Sequence, residues 1–230
     1  MIDIPKQTDL DQWHLKRWTR FTSSEKYKLL TLGDKGAIFS VGAMSYIKTK
    51  ALEMATQMQE RPEMEEVKSL LWGKVYELPN FEWYIKETKN YNMKYMGGET
   101  PIFITDDLMP KESGGSPDGL LLGETKIMQG WEGKCPKNSM YHFDRLLWKD
   151  QLDLKQNYIS CYTQIQDLLR ITEADEWHFT SFDDRITNPR KKGKLIIVKP
   201  DKKFQDALVL RTRMAVEEKY KIYERYMNTA

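Results

Sequence analysis

The run Ser116-Pro117-Asp118-Gly119-Leu120-Leu121-Leu122-Gly123-Glu124-Thr125-Lys126-Ile127-Met128-Gln129-Gly130-Trp131-Glu132-Gly133-Lys134-Cys135-Pro136 holds two apolar stretches parted by a polar, glycine-led interval. Asp118 to Leu122 reads as a strand, Gly123-Glu124-Thr125-Lys126 as a turn, and Ile127 to Lys134 as the partner strand. Pro136 cannot donate to a ladder and ends it. Folded back as a hairpin, the run brings Asp118 to the end that carries Glu132 and Lys134. Those two are two residues apart, so on a strand their side chains share a face. Two carboxylates and an ammonium at one point can bind Mg²⁺, position a water and offset the charge that builds on a phosphate under attack. The plain alternative is a proline-aspartate turn beside an unrelated Glu/Lys pair. On the bare pattern the two readings stand level.

Around this hairpin the chain divides by periodicity. Thr22-Ser23-Ser24-Glu25 offers N-cap hydroxyls and predicts a helix through Tyr27, Leu29 and Leu30. Met44, Ile47, Ala51, Leu52, Ala55 and Met58 recur at helical spacing, as do Met64, Val67, Leu70, Leu71 and Val75 after a break at Arg61-Pro62. Pro101 to Thr105 reads as a strand, and Lys111-Glu112-Ser113-Gly114-Gly115 as a loop. Leu154, Tyr158, Cys161, Ile165 and Leu168 mark one face of a long helical section. Glu176 to Phe182 and Lys194 to Val198 read as further strands, and a polar helix from about Phe204 to Tyr226 follows. Helices, then sheet, then a helical return to more sheet describe an α/β domain with a mixed central sheet. We expect one domain over 1–230: a helical part to about residue 95, a catalytic sheet with helices over 96–200, and a C-terminal helix over 201–230.

Composition narrows the classes. The 230 residues are 40% hydrophobic and 30% charged, ordinary for a globular chain. No run approaches the roughly 18 apolar residues of a membrane span, and no basic segment followed by an apolar run opens the chain. A cytoplasmic setting is expected. Two cysteines, Cys135 and Cys161, exclude a disulfide framework and a four-cysteine cluster. His14, His142 and His178 have no zinc-site spacing and read as structural. Cys135 reads as a small apolar residue rather than a nucleophile. The net charge of +2 says little, but Pro189-Arg190-Lys191-Lys192-Gly193-Lys194 and Lys199-Pro200-Asp201-Lys202-Lys203 gather positive charge late in the chain. Such a run is either a solvated loop or a local lining for nucleic acid.

Several separated motifs weight the balance between the two hairpin readings. Trp13-His14-Leu15-Lys16-Arg17, Thr22-Ser23-Ser24, Trp72-Gly73-Lys74-Val75-Tyr76-Glu77, Ser116-Pro117-Asp118-Gly119, Glu132-Gly133-Lys134-Cys135-Pro136, Gln164-Ile165-Gln166 and Phe182-Asp183-Asp184-Arg185 occur in that order. In this collinear set the chain resembles the phage lambda-type exonucleases, the viral recombinase and alkaline exonuclease family of the PD-(D/E)xK nuclease superfamily. It departs from the family pattern at Gly133, where a bulky apolar residue is usual, at Asp184, which replaces a proline, and in a slightly longer catalytic turn. Nothing beyond Arg185 matches.

The resemblance implies a restriction-endonuclease-like core and a 5′-to-3′ exonuclease acting on linear double-stranded DNA in phage recombination. It implies that Asp118 and Glu132 hold catalytic metal, two Mg²⁺ with Mn²⁺ a substitute, and that Lys134 assists the water; on the strand itself, Gly133 turns its Cα away but leaves its carbonyl within reach of a metal. Glu77 matches an acidic residue near the second metal position; taken alone it reads as a helix-surface glutamate. Arg17, Ser24, Ser116 and Gln164 match a pocket for the terminal 5′ phosphate, to which arginine offers a bidentate charged fork and the serines short donors. A homotrimeric ring and a single-strand annealing partner are implied in the same way. Trp18 is a candidate wedge against a terminal base pair, with core packing as the alternative. The rivals are an endonuclease on the same core, for which an end pocket would have no use, and a silent DNA-end-binding module, which would not need all of Asp118, Glu132 and Lys134.

Overall fold

The computed structural model describes residues 10–58, 64–98 and 101–228. The hairpin is present as β5 (Gly119–Leu122) and β6 (Ile127–Lys134), paired antiparallel. A bulge between Leu121 and Leu122 shifts the register, so that Leu122 faces Ile127 but Leu121 faces Gln129 and Gly119 faces Trp131. Carried one residue further, that ladder sets Asp118 opposite Glu132. Without the bulge Asp118 would face Trp131, and every side chain beyond it would change faces.

The hairpin sits inside a five-stranded sheet ordered β2-β5-β6-β7-β8, with β2 at Met93–Tyr95, β7 at Glu176–Phe182 and β8 at Gly193–Val198. Only the β6–β7 pair is parallel, which makes the sheet mixed. Its crossover is helical: α4 (Ser139–Leu146), α5 (Gln151–Asn157) and α6 (Ile159–Thr172). A single helix over 154–168 was expected. Tyr158, at φ −147° and ψ 59°, breaks it in two.

Each face of the sheet is covered. On one, Cys161, Ile165, Leu168 and Leu169 of α6 pack with Leu120, Trp177, Phe179, Ile196 and Val198. On the other, Tyr84 of α3 (Met64–Thr88) packs with Met93 and Trp131, flanked by Phe81 and Trp83. Helix α3 runs on past Pro79, well beyond the periodic run that ended at Val75. A proline costs a helix one ladder bond and crowds the preceding turn. Packing of Phe81 and Tyr84 on the sheet outweighs that cost.

A second layer joins α2 (Val41–Thr56) to the long α7 (Lys202–Asn228), burying Ile47, Ala51, Ala215 and Ile222 with Phe21 and Leu29. The chain expected to open a helix at Thr22 instead forms β1 (Phe21–Thr22), then a 3₁₀ helix at Lys26–Leu30. Its partner is β4 (Ser113–Gly115), in the stretch read as a loop. Between β1 and β3 (Ile104–Thr105), β4 completes a three-stranded sheet, so the strand expected over 101–105 keeps only its last two residues. Each pairing spans only two residues, and β1–β4 joins segments some ninety residues apart, so no periodicity announces them. The helical N-terminal part therefore also contributes strands β1 and β2. The break at Arg61-Pro62 lies outside the described residues. No helix among the described residues is long and apolar enough to cross a membrane.

Candidate active site

Strand β6 alternates about the sheet. Trp131 points into the aromatic layer under α3, and Glu132 and Lys134 point toward α6. Glu132 is fully buried. Its Oε1 accepts from Lys134 Nζ, and its buried Oε2 is reached by no N–H among the described residues and meets only the carboxyl of Asp118. Asp118 arrives from the strand before, and its Oδ2 accepts from the Gly133 N–H at 3.0 Å. Lys134 Nζ also reaches Gln164 Oε1 on α6 at 3.5 Å.

Glu77 is half-buried rather than a free surface glutamate, and its Oε1 accepts from the Tyr95 hydroxyl at 2.6 Å. That hydroxyl donor, on the short strand β2, is a site residue the sequence reading missed. Among the described residues no three His, Cys, Asp or Glu side chains stand grouped as a metal site. The centre consists of the facing pair Asp118 and Glu132, with Glu77 electrostatically coupled to both.

The electrostatics are crowded. Burial, then Glu132, push Asp118 up to about 8. Burial likewise raises Glu132, partly countered by Lys134. Burial and Asp118 push Glu77 up to about 7. Burial pulls Lys134 down, but Glu132 together with Cys161, Asp118 and Tyr158 outweighs it and holds the ammonium well above its ordinary value. One buried carboxyl and two half-buried ones crowd against a single ammonium in a water-poor place, and each proton they lose adds to an excess of negative charge. With an orphaned carboxylate oxygen at its centre, this oxygen-rich set fits a hard divalent cation.

Gly133 has a local reason. A Cβ there would lie 2.5 Å from Trp131 Cη2 and 2.8 Å from Asn80 Nδ2. The Trp131 ring, anchored by its Nε1 donating to Thr180 Oγ1 at 3.0 Å, fills the space a side chain at 133 would take. Cys135 donates to the Tyr76 carbonyl at 3.2 Å, and burial pushes its thiol up to about 12, which leaves it no thiolate nucleophile. His142 and His178 are buried in hydrogen bonds to Ser181 and the Lys191 carbonyl, and to Tyr84 and Glu176. Trp18 is half-buried, with a buried indole N–H that has no acceptor.

The four residues matched to an end pocket fall around the seam between β1, β4 and α6. On α1 (Leu10–Arg17), the Arg17 guanidinium lies 4.2 Å from the Trp13 ring centroid. Trp13 Nε1 in turn donates to Ser116 Oγ at 2.8 Å. No carboxylate among the described residues forms an ion pair with Arg17, and burial pulls its pKa down against the opposing field of Glu25. Ser24 follows Ser23, whose N–H donates to the Gly114 carbonyl at 2.9 Å, two residues before Ser116. Gln164 joins this region to the centre at Asp118 and Glu132 through Lys134. Gln166 is a structural amide, bonded to the Lys199 carbonyl, the Asp201 N–H and Gln205.

Among solved structures the chain is similar to LHK-Exo, an alkaline exonuclease from Laribacter hongkongensis, at 19% identity over 94% of this chain and 96% of that one, with a TM-score of 0.74. This chain has the alkaline exonuclease fold. The complex of LHK-Exo with dAMP is as similar, with a TM-score of 0.74, 19% identity and coverage of 94% and 95%. A phage-related exonuclease from Haemophilus somnus 129PT shares the fold at 13% identity, over 90% of this chain and 95% of that one, with a TM-score of 0.64. No model of a known protein family matches the sequence, and no curated protein matches it.

Proposed function

We propose that this protein is a Mg²⁺-dependent deoxyribonuclease that degrades linear double-stranded DNA from 5′-phosphorylated ends, releasing mononucleotides and leaving a 3′ overhang. The observation that carries the reading is the buried Oε2 of Glu132, which no N–H among the described residues reaches and which meets only the carboxyl of Asp118 facing it across the hairpin. A carboxylate is left this way where a cation completes it. The alkaline exonuclease fold and the motif series that places Arg17, Ser24, Ser116 and Gln164 at an end pocket support the direction of attack.

Asp118, Glu132 and the Gly133 carbonyl would hold the metal, and Glu77, oriented by Tyr95, would serve a second position. Bound there, divalent ions supply an activated water and neutralise charge at the leaving 3′ oxygen. The chain's own residues do the rest. Lys134 is charged at neutral pH, so it is a donor and not a base; it orients the attacking water and offsets charge on the phosphate. Arg17, without a carboxylate in ion-pair reach among the described residues, holds the terminal phosphate with the hydroxyls of Ser24 and Ser116, and Gln164 couples that grip to Lys134. This holds the scissile bond at a fixed distance from the end.

The reading extends to a ring of three copies around DNA, a single-strand annealing partner, and a recombination role for a phage or prophage in the host cytoplasm. Its test is incubation with Mg²⁺ of linear duplex bearing 5′ phosphate or 5′ hydroxyl, beside a closed circle. Loss of the phosphorylated linear DNA with the circle spared is the expected result. Cutting of the circle would establish an endonuclease instead, and no cutting with Mg²⁺ or Mn²⁺ would leave a silent end-binding module.

A further inference from the structure

Beneath the loop that carries Ser24 lies a charge cluster for which the catalytic centre has no use. Lys26, Asp106 and Asp167 are each at most 1% exposed. Lys26 Nζ donates to Asp167 Oδ2 at 2.7 Å and to Ser113 Oγ at 2.6 Å. Arg170 forks onto Asp106 at 3.0 and 2.7 Å and reaches Asp167 Oδ1 at 3.0 Å. Ser113 Oγ closes the ring by donating to Asp106 Oδ2 at 2.8 Å. Two anions and two cations balance, and both oxygens of each carboxylate are satisfied. Burying such a set yields little stability over a well-packed apolar core of the same volume. What a polar core so densely bonded delivers, with only Arg170 Nε in the cluster lacking an acceptor among the described residues, is a fixed geometry.

That geometry has a definite object. Ser23 Oγ donates to Asp167 Oδ2 at 2.6 Å and lies 3.2 Å from the Gly114 carbonyl oxygen. Ser23 is bonded in chain to Ser24, Gly114 stands two residues before Ser116, and Asp167 follows Gln164 by about one turn of α6. One carboxylate thus ties together the three segments that carry Ser24, Ser116 and Gln164. The seam has no slack: a Cβ on Gly115 would lie 2.2 Å from Ser23 Oγ and 2.7 Å from Leu168 Cδ2.

We propose that Asp167, acting through Ser23 and Lys26, is a positioning residue that sets the mutual placement of Ser24, Ser116 and Gln164 and thereby the discrimination in favour of a 5′-phosphorylated end. This rests on the end-pocket reading above. Asp167 touches no substrate; it holds the donors that do.

The test is the ratio of kcat/KM for 5′-phosphorylated over 5′-hydroxyl linear duplex, measured in wild type, Ser23→Ala, Asp167→Asn and Thr212→Ala. Ser23→Ala is the milder change, since Asp167 keeps Lys26 and Arg170. It removes one hydrogen bond to a charged acceptor, and the ratio is expected to fall about tenfold, with activity on the 5′-hydroxyl end within about twofold of wild type. Asp167→Asn should lower the ratio at least as far. Thr212→Ala deletes a buried hydroxyl on α7 that bonds only within its own helix, and should lower the melting temperature without moving the ratio. A wild-type ratio well above one that Ser23→Ala leaves intact would overturn the positioning role, and so would an equal fall in Thr212→Ala. A wild-type ratio of one would instead overturn the end pocket itself, and this inference with it.

Discussion

Replacing Asp118 by asparagine should stabilise the metal-free protein while removing its catalysis. The folded chain holds the Asp118 carboxyl at about 8, against an ordinary 3.8, through burial and the adjacent Glu132. A group whose folded pKa is raised contributes stability that is fully present below the unfolded value and is lost as pH rises through the folded one. At pH 7 most of that loss has occurred. Roughly three pH units at about 1.4 kcal/mol each set a ceiling of about 4 kcal/mol. Glu132 shares the crowding, and asparagine keeps an acceptor for the Gly133 N–H, so about half the ceiling, ~2 kcal/mol, is the expected gain. For a protein of this size that is a rise of about 4–8 °C in melting temperature. The assay is thermal denaturation in EDTA at pH 7 and pH 5, repeated with MgCl₂. Wild type should lag the variant at pH 7, narrow the gap at pH 5, and recover on Mg²⁺ addition by mass action, whereas the variant gains little. A variant that melts at or below wild type in EDTA at pH 7, or that gains as much from Mg²⁺, would refute the idea of a charge-crowded cation site.

Lys134→Ala should cut turnover by about 10²–10³-fold, the scale for losing one donor to developing charge, with duplex affinity preserved. Gel-shift and rate measurements on one preparation decide it, and lost binding would mark the residue as structural. Arg17→Ala should lower the rate ratio for phosphorylated over hydroxyl ends about tenfold or more, as expected for a charge-assisted contact; an unchanged ratio removes Arg17 from the pocket. Gly133→Ala should destabilise the fold by about 1–3 kcal/mol, because its Cβ enters the space of the Trp131 ring. Urea unfolding with an unchanged midpoint would mean that the ring moves aside freely.

What could be read in advance was local. Asp118 and Glu132 meet because a hairpin of ordinary signals joins them, and Glu176–Phe182 and Gly193–Val198 announce themselves as apolar, β-branched or aromatic runs. The bulge at Leu121 and Leu122 that brings Asp118 opposite Glu132 left no more trace than a turn slightly longer than usual. Ser113-Gly114-Gly115 looked like a loop because a parallel strand is defined by its partner, and the partner, Phe21–Thr22, lies some ninety residues away. The cluster of Lys26, Asp106, Asp167 and Arg170 is spread over three segments, and only Asp167 and Arg170, an i,i+3 pair on α6, stand at a spacing the sequence displays. Tyr95, which orients Glu77, stands in a three-residue strand too short for alternation to be seen. The hairpin that carries Asp118, Glu132 and Lys134 was therefore legible, and the scaffolding that holds its neighbours was not.

The central claim is that the centre built from Asp118, Glu132 and Lys134 consumes a strand from its 5′ end. One linear duplex, phosphorylated at both ends and labelled in one preparation at the 5′ phosphate and in another at the 3′ terminus, tests it in a single Mg²⁺ time course. The expected result is release of the 5′ label as a mononucleotide within the first turnovers, while the 3′ label stays in long DNA until the end. Early release of the 3′ label, or internal fragments carrying either label, would contradict it.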